Sequence, residues 1–234
     1  MSRGFNQDGV LRQDIKFHQA ATVIILDPCY AQRMKKAVLA LSTALFLSAC
    51  YTPPDTTPAP DVSGNYVLDP AHAAVVWSLS HVGLSNYIAR FDDISGVLQF
   101  DIEEPTASVV DIYVAADSVN TGLPDFDRVI ATSGNGFDSG NNREIRFTST
   151  NIQVTGDHSG RVTGDLTLRG ETHPVTLDVT FNGAGKSFGK PGNTLGFSAT
   201  GKIDRTQWGV TKWTNFGIGK VVTLRIEAEF NEKS

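Results

Sequence analysis

From residue 72 onward the chain is written in period two. In the stretch His72–His81, Val75, Trp77, Leu79 and His81 share one phase, and Ala74, Val76, Ser78 and Ser80 hold the other. The same alternation recurs in 161–170 (Val162, Leu166, Leu168 against Thr163, Asp165, Thr167, Arg169) and in 173–181 (Val175, Leu177, Val179, Phe181 against Thr176, Asp178, Thr180). It returns in 195–204 and 221–230, where Leu195, Phe197, Ala199, Ile203, Val222, Leu224, Ile226 and Phe230 oppose Ser198, Thr200, Lys202, Asp204, Thr223, Arg225, Glu227 and Glu229. A side-chain period of two with one apolar and one polar face is the signature of antiparallel strands whose one face meets water.

With 65–69, 94–100, 108–116 and 144–152, the expected strands number eight or nine. Glu104-Pro105, Thr155-Gly156-Asp157 and Gly183-Ala184-Gly185 supply turn chemistry between them. The one non-strand insertion is 121–142, in which Pro124–Ile130 suits a turn or two of helix before a Gly/Asn-rich loop. Many strands with short connections predict an all-β sandwich or closed barrel. A barrel spanning an outer membrane would alternate too, but Asp165, Arg169, Asp178, Arg225 and Glu227 stand mid-strand on the polar face. At mid-bilayer each basic one would cost about 2–4 kcal/mol, so the polar face meets water and the aliphatic face is the interior.

The segment preceding this domain has a different character. Residues 34–50, MKKAVLALSTALFLSAC, place Lys35 and Lys36 before the thirteen mostly apolar residues Ala37–Ala49, the layout of a secretory signal and too short to span a bilayer, which takes about 20. Leu47-Ser48-Ala49-Cys50 resembles the lipobox of bacterial lipoproteins, cleaved before a cysteine that is then acylated. Residues 1–33 carry Asp8, Asp14 and Asp27 without periodicity and look wrong for a leader, which points to a true start at Met34. The expected organisation is therefore an untranslated 1–33, a signal peptide at 34–49, a Pro/Thr-rich tether at 50–64 and one barrel domain at 65–232. Cys50 is the lipidation site, and Cys29, the other cysteine, falls in the untranslated part, which leaves no disulfide.

Charge narrows the partners. Residues 50–234 hold 14 of the 20 Lys+Arg and 22 of the 25 Asp+Glu, six basic and three acidic residues lying in 1–49, for a net charge of −8. Nucleic acid binding requires clustered basic charge, and no basic run is present.

The domain from about Tyr66 to Phe230 resembles the YceI-like family of exported, lipid-binding, lipocalin-like β-barrels. The resemblance is carried by five ordered blocks. These are 66–85 with Asp69, His72 and His81-Val82-Gly83; Asp117–Gly122 with Asp127, Phe137-Asp138 and 145–150; 162–179; 203–210; and 221–230. Ala73, Ala89, Gly136 and Trp208 depart from the residues usual in the family, respectively Ser, a Gly before Arg90-Phe91, an aromatic, and Phe. The resemblance implies an eight-stranded lipocalin-like barrel with a short helical insertion that holds an amphiphile with a long isoprenoid tail. It implies no cofactor, leaves a homodimer open, and suits a bacterial periplasmic lipoprotein. Tyr51, where an aspartate is associated with inner-membrane retention, favours the outer membrane.

Strand phase supplies the expected lipid-contacting set: Val75, Trp77, Leu79, His81, Phe100, Ile112, Val114, Phe147, Leu166, Leu168, Leu177, Phe181, Phe197 and Leu224, joined by Phe91 and Trp208 from the family blocks. His81 suits a polar head group. Gly96, Gly164, Ala199 and Gly201 share the inward phase, and small residues there leave room for a ligand, although strand glycines also mark bulges and corners. An eight-stranded barrel either fills itself or holds one small ligand. At ~0.8 kcal/mol per buried methylene, three or four isoprene units exceed the ~8 kcal/mol of micromolar binding.

Signals of catalysis are missing. No G-x-S-x-G elbow occurs, Asp157-His158-Ser159 sits in a turn, and Gly183–Ser187 mimics a phosphate loop only until Thr180, where a glycine is needed. His72, His81, His158 and His173 show no metal-ligand spacing. The expectation is a non-enzymatic, metal-free binding protein. The alternative is an interaction module with a filled barrel that docks on a partner protein.

Overall fold

The computed structural model describes residues 53–187 and 189–233. The leader, its start and the acylation of Cys50 lie outside the described residues.

The described residues form ten strands and one α-helix: β1 (Gly64–His81), β2 (Ser85–Phe91), β3 (Ile94–Phe100), β4 (Val109–Ala115), β5 (Val119–Asn120), α1 (Pro124–Thr132), β6 (Glu144–Gly156), β7 (Ser159–Leu168), β8 (Glu171–Gly185), β9 (Thr194–Asp204) and β10 (Ile218–Glu232). Every pairing is antiparallel. Eight strands form a closed ring in the order β1-β3-β4-β6-β7-β8-β9-β10, which β10 completes by pairing with β1. The alternation left a sandwich or a closed barrel open; the eight-stranded antiparallel barrel that the family resemblance implies is the observed fold.

Of the remaining two strands, β2 pairs with β1 and β5 pairs with β2. The first residues of β1 pair with β3 (Gly64↔Phe100 to Val67↔Val97) and its later ones with β2 (Val75↔Phe91 to His81↔Ser85). The turnover lies at Asp69–His72, where the register against β10 jumps between Leu68 and Ala73. Pro70 has no N–H to donate there. The buried Asp69 carboxylate repairs the break, accepting from Asn231 Nδ2 (2.9 Å) and Ala71 N (3.1 Å) and meeting Lys190 Nζ at 3.1 Å. The hydrogen bond from Asn231, followed by those of His72 and Lys190, holds this carboxyl well below the usual carboxylate range despite burial. The two segments expected at 65–69 and 72–81 are thus one kinked strand.

The insertion forms α1 for the reasons its sequence suggests. Pro124 opens it, Asp125 and Asp127 occupy its first turn, and Ile130 and Ala131 are buried against the barrel. With the turn 82–84 and the segment 205–217 it borders one end of the barrel, hereafter the α1 end. At the other end Phe100, Phe181, Phe197 and Phe230 form a ring cluster with centroids 5.3–5.9 Å apart. Nearby, Tyr66 donates to Val62 O at 2.6 Å, and burial pushes its phenol up to about 12. The chain enters the barrel at this end, Asp55 bridging to Ala184.

Candidate functional site

The inward phase of the strands encloses a cavity of about 700 Å³. Its wall draws a side chain from every strand of the ring: Val75, Leu98, Ile112, Phe147, Leu166, Leu177, Phe197 and Leu224, taken from β1, β3, β4, β6, β7, β8, β9 and β10. Cavities of this size accept small organic ligands, and the lining is overwhelmingly aliphatic and aromatic.

Of the sixteen side chains expected to meet a lipid, fifteen border this space; Trp208 does not. Trp208 follows β9 in a 3₁₀ turn, so strand phase does not govern it. It is buried against Leu168, Val175, Leu177 and Val210, its indole N–H donating to Leu166 O at 3.0 Å and its ring meeting His173 edge-on at 5.0 Å. His81 borders the cavity from an exposed position at the end of β1.

The inward glycines do not leave vacant room. A β-carbon on Gly96 would stand 2.5 Å from Ile112 Cδ1, one on Gly164 2.5 Å from Phe147 Cζ, and one on Gly201 2.6 Å from Leu177 Cδ2. Each glycine is covered by a large side chain of the adjacent strand. The glycines widen the lumen indirectly, because these side chains lie over them along the wall. Ala199, by contrast, borders the cavity itself.

Aromatic side chains from β2, α1 and the turns complete the wall at the α1 end. Tyr87 packs edge-on to Phe126 at 5.8 Å, and Phe126 stacks on Trp213 at 5.4 Å and 17°. All three line the cavity, as does Phe137, whose ring lies 5.4 Å from Phe91. Phe126, Phe137 and Trp213 lie on the helix or in turns, where strand period assigns no face.

Polar groups reach the lining at both ends. Arg205 and Lys212 do so at the α1 end. Arg205 donates Nε to Gly219 O (2.9 Å), Nη1 to Val210 O (3.0 Å) and Nη2 to Lys212 O (3.0 Å), and burial lowers its pKa. His158 lies at the opposite end; its Nδ1 and Trp77 Nε1 are buried nitrogens without a hydrogen-bond partner among the described residues. The principal ion pair, Arg146–Asp111, belongs to the wall: Arg146 Nη2 meets Asp111 Oδ2 at 2.7 Å and its hydrogen bond holds that carboxyl down at about 2. Among the described residues no group of three or more His, Cys, Asp or Glu is placed to hold a metal ion.

The family model of the YceI-like domain matches residues 66–230. A UPF0312 protein of Pseudomonas putida is 36% identical over 177 residues, covering 74% of this chain and 85% of the relative. Among solved structures, Burkholderia cenocepacia BcnA superposes with a TM-score of 0.61 at 19% identity, over 69% of this chain and 98% of BcnA. A polyisoprenoid binding domain from Saccharophagus degradans, implicated in plant cell wall breakdown, gives a TM-score of 0.51 at 17% identity, over 72% and 98%. At those identities the two structures speak for the shared fold.

Proposed function

The chain belongs to the YceI-like family, and on that premise we propose that its barrel binds or carries an isoprenoid-type or similar long-chain amphiphilic lipid. The protein is exported to the bacterial periplasm and held on a membrane, the outer one favoured, through acylated Cys50. The observation that carries the ligand reading is the apolar cavity of about 700 Å³ walled by all eight ring strands. A long hydrocarbon tail matches such a wall through dispersion and burial alone, with polar selection left to the few groups at the ends. The name of the Saccharophagus neighbour, a polyisoprenoid binding domain, supports the same ligand class.

The filled-barrel docking module is less well supported, since the side chains over Gly96, Gly164 and Gly201 follow the wall and leave the centre open. Organic extraction of protein purified from its native membrane, followed by lipid mass spectrometry, tests the reading. A long-chain lipid near one per barrel is expected. Protein that carries no lipid, and takes none up from isoprenoid-containing micelles, contradicts it.

A further inference from the structure

Two lips meet at the α1 end of the barrel, the turn 82–84 and the segment 212–217. Val82 N donates to Gly217 O at 3.0 Å, and a β-carbon on Gly217 would stand 2.8 Å from Val82 Cγ1. Leu84 is 87% exposed, Phe216 74% and Val82 46%. Val82 and Phe216 also border the cavity, so apolar surface runs unbroken from lumen to solvent. Contiguous exposed apolar surface of this kind marks a site of interaction.

The lips are held in this outward form. Val82, a β-branched residue, has φ 47°, and Trp213 has φ 59°, left-handed conformations that cost energy in such residues. Arg205 fastens the second lip through the carbonyls of Val210, Lys212 and Gly219. The lips and the strand ends beside them are also basic. Residues 81–91 and 205–220 contain no Asp or Glu, but they carry Arg90, Arg205, Lys212 and Lys220 in a chain of net charge −5. Arg90 is paired with Asp92 and Arg205 is buried, which leaves Lys212 and Lys220 as the cations of the lips.

We infer that this apolar, basic rim seats on the surface of an anionic lipid bilayer, where cargo passes between membrane and lumen. Apolar side chains enter the interface, Trp213 suits its depth, and the lysines meet lipid phosphates. The passage of cargo rests on the lipid-binding reading above; the seating of the rim does not. The described chain enters at the far end of the barrel, where Asp55 bridges to Ala184.

The test uses residues 51–234, which hold the whole barrel but neither the apolar segment 37–49 nor Cys50, floated with vesicles of phosphatidylethanolamine and phosphatidylglycerol. Flotation is expected, falling in high salt and on vesicles of phosphatidylcholine alone. Leu84→Ser with Phe216→Ser should lower it by about fivefold or more while the thermal midpoint holds. A second readout does not depend on that variant: brominated acyl chains should quench tryptophan fluorescence, and Trp213→Phe should remove most of the quenching. No flotation of the parent chain, equal flotation of the double variant, or quenching unchanged by Trp213→Phe overturns the rim. Lipid extracted from the same samples reads the lumen separately, so flotation with an empty lumen sinks the cargo reading alone, and a loaded lumen without flotation sinks the rim alone.

Discussion

The ring of Phe147 lies across Gly164: a β-carbon at Gly164 would stand 2.5 Å from Phe147 Cζ and 2.6 Å from Thr148 O. This places a β6 side chain along the wall of β7 and so helps keep the lumen open. Gly164→Ala should destabilise the barrel by about 1–3 kcal/mol, because the ring must swing inward and the carbonyl cannot move freely. A urea midpoint measures the cost. Adding Phe147→Leu removes the ring clash, so the double variant should lose less than the sum of the single losses.

Asp69 should govern stability in acid. Its folded-state pKa is depressed, chiefly by Asn231, so its contribution is fully present above the unfolded value of about 4 and is lost as pH falls towards the folded one. Chemical denaturation across pH 2–7 should show the native protein losing stability on the acid side, with a shallower loss in Asp69→Asn. At neutral pH, Asp69→Ala should cost about 2–3 kcal/mol by removing the charged acceptor of Asn231 Nδ2 and Ala71 N. An Asp69→Asn profile as steep as the parent's would assign the acid loss elsewhere.

Arg205 and lysine are not interchangeable at the second lip. The guanidinium serves three carbonyls in one plane, and an ammonium cannot span them. Arg205→Lys should lower stability by about 1–3 kcal/mol and raise amide exchange in 210–219, measured by hydrogen–deuterium exchange. Unchanged protection there would show that the lip is fastened by other contacts.

Cys50→Ser in the full chain should leave the protein uncleaved or release it from the membrane, since stable anchoring takes more than one acyl chain and all attach at this residue. Fractionation and intact mass decide it. A variant processed and sedimented like its parent would remove the lipoprotein reading.

Much of the barrel was legible because burial on one face writes itself into alternate residues. The stretch 94–100 coincides with β3, and the proposed helical turn 124–130 lies within α1. β2 escaped notice: Tyr87, Ala89 and Phe91 do point inward, but Ile88 is exposed and blurs the period. The kink at Asp69 was hidden too, since the carboxylate that bridges it draws on Asn231, 162 residues away. In the candidate site the strand-borne residues followed from phase, whereas Trp208, Phe126 and Trp213 sit in turns or on the helix, where phase says nothing. The inward glycines follow strand phase, but the space beside them does not, because what covers a glycine is decided by the neighbouring strand.

The central claim, that the open lumen is the lipid site, is tested most directly by Ala199→Phe. Ala199 borders the cavity, so a ring there takes up ligand volume at an overpacking cost of about 1–3 kcal/mol. The measurement is co-purified lipid per mole of protein, with the thermal midpoint as the folding control and Asp178→Ala on the outer face as the surface control, its side chain 73% exposed. The lumen account predicts that Ala199→Phe stays folded and loses most of its lipid while Asp178→Ala keeps it. Equal lipid in Ala199→Phe and its parent, or none in either, would contradict it.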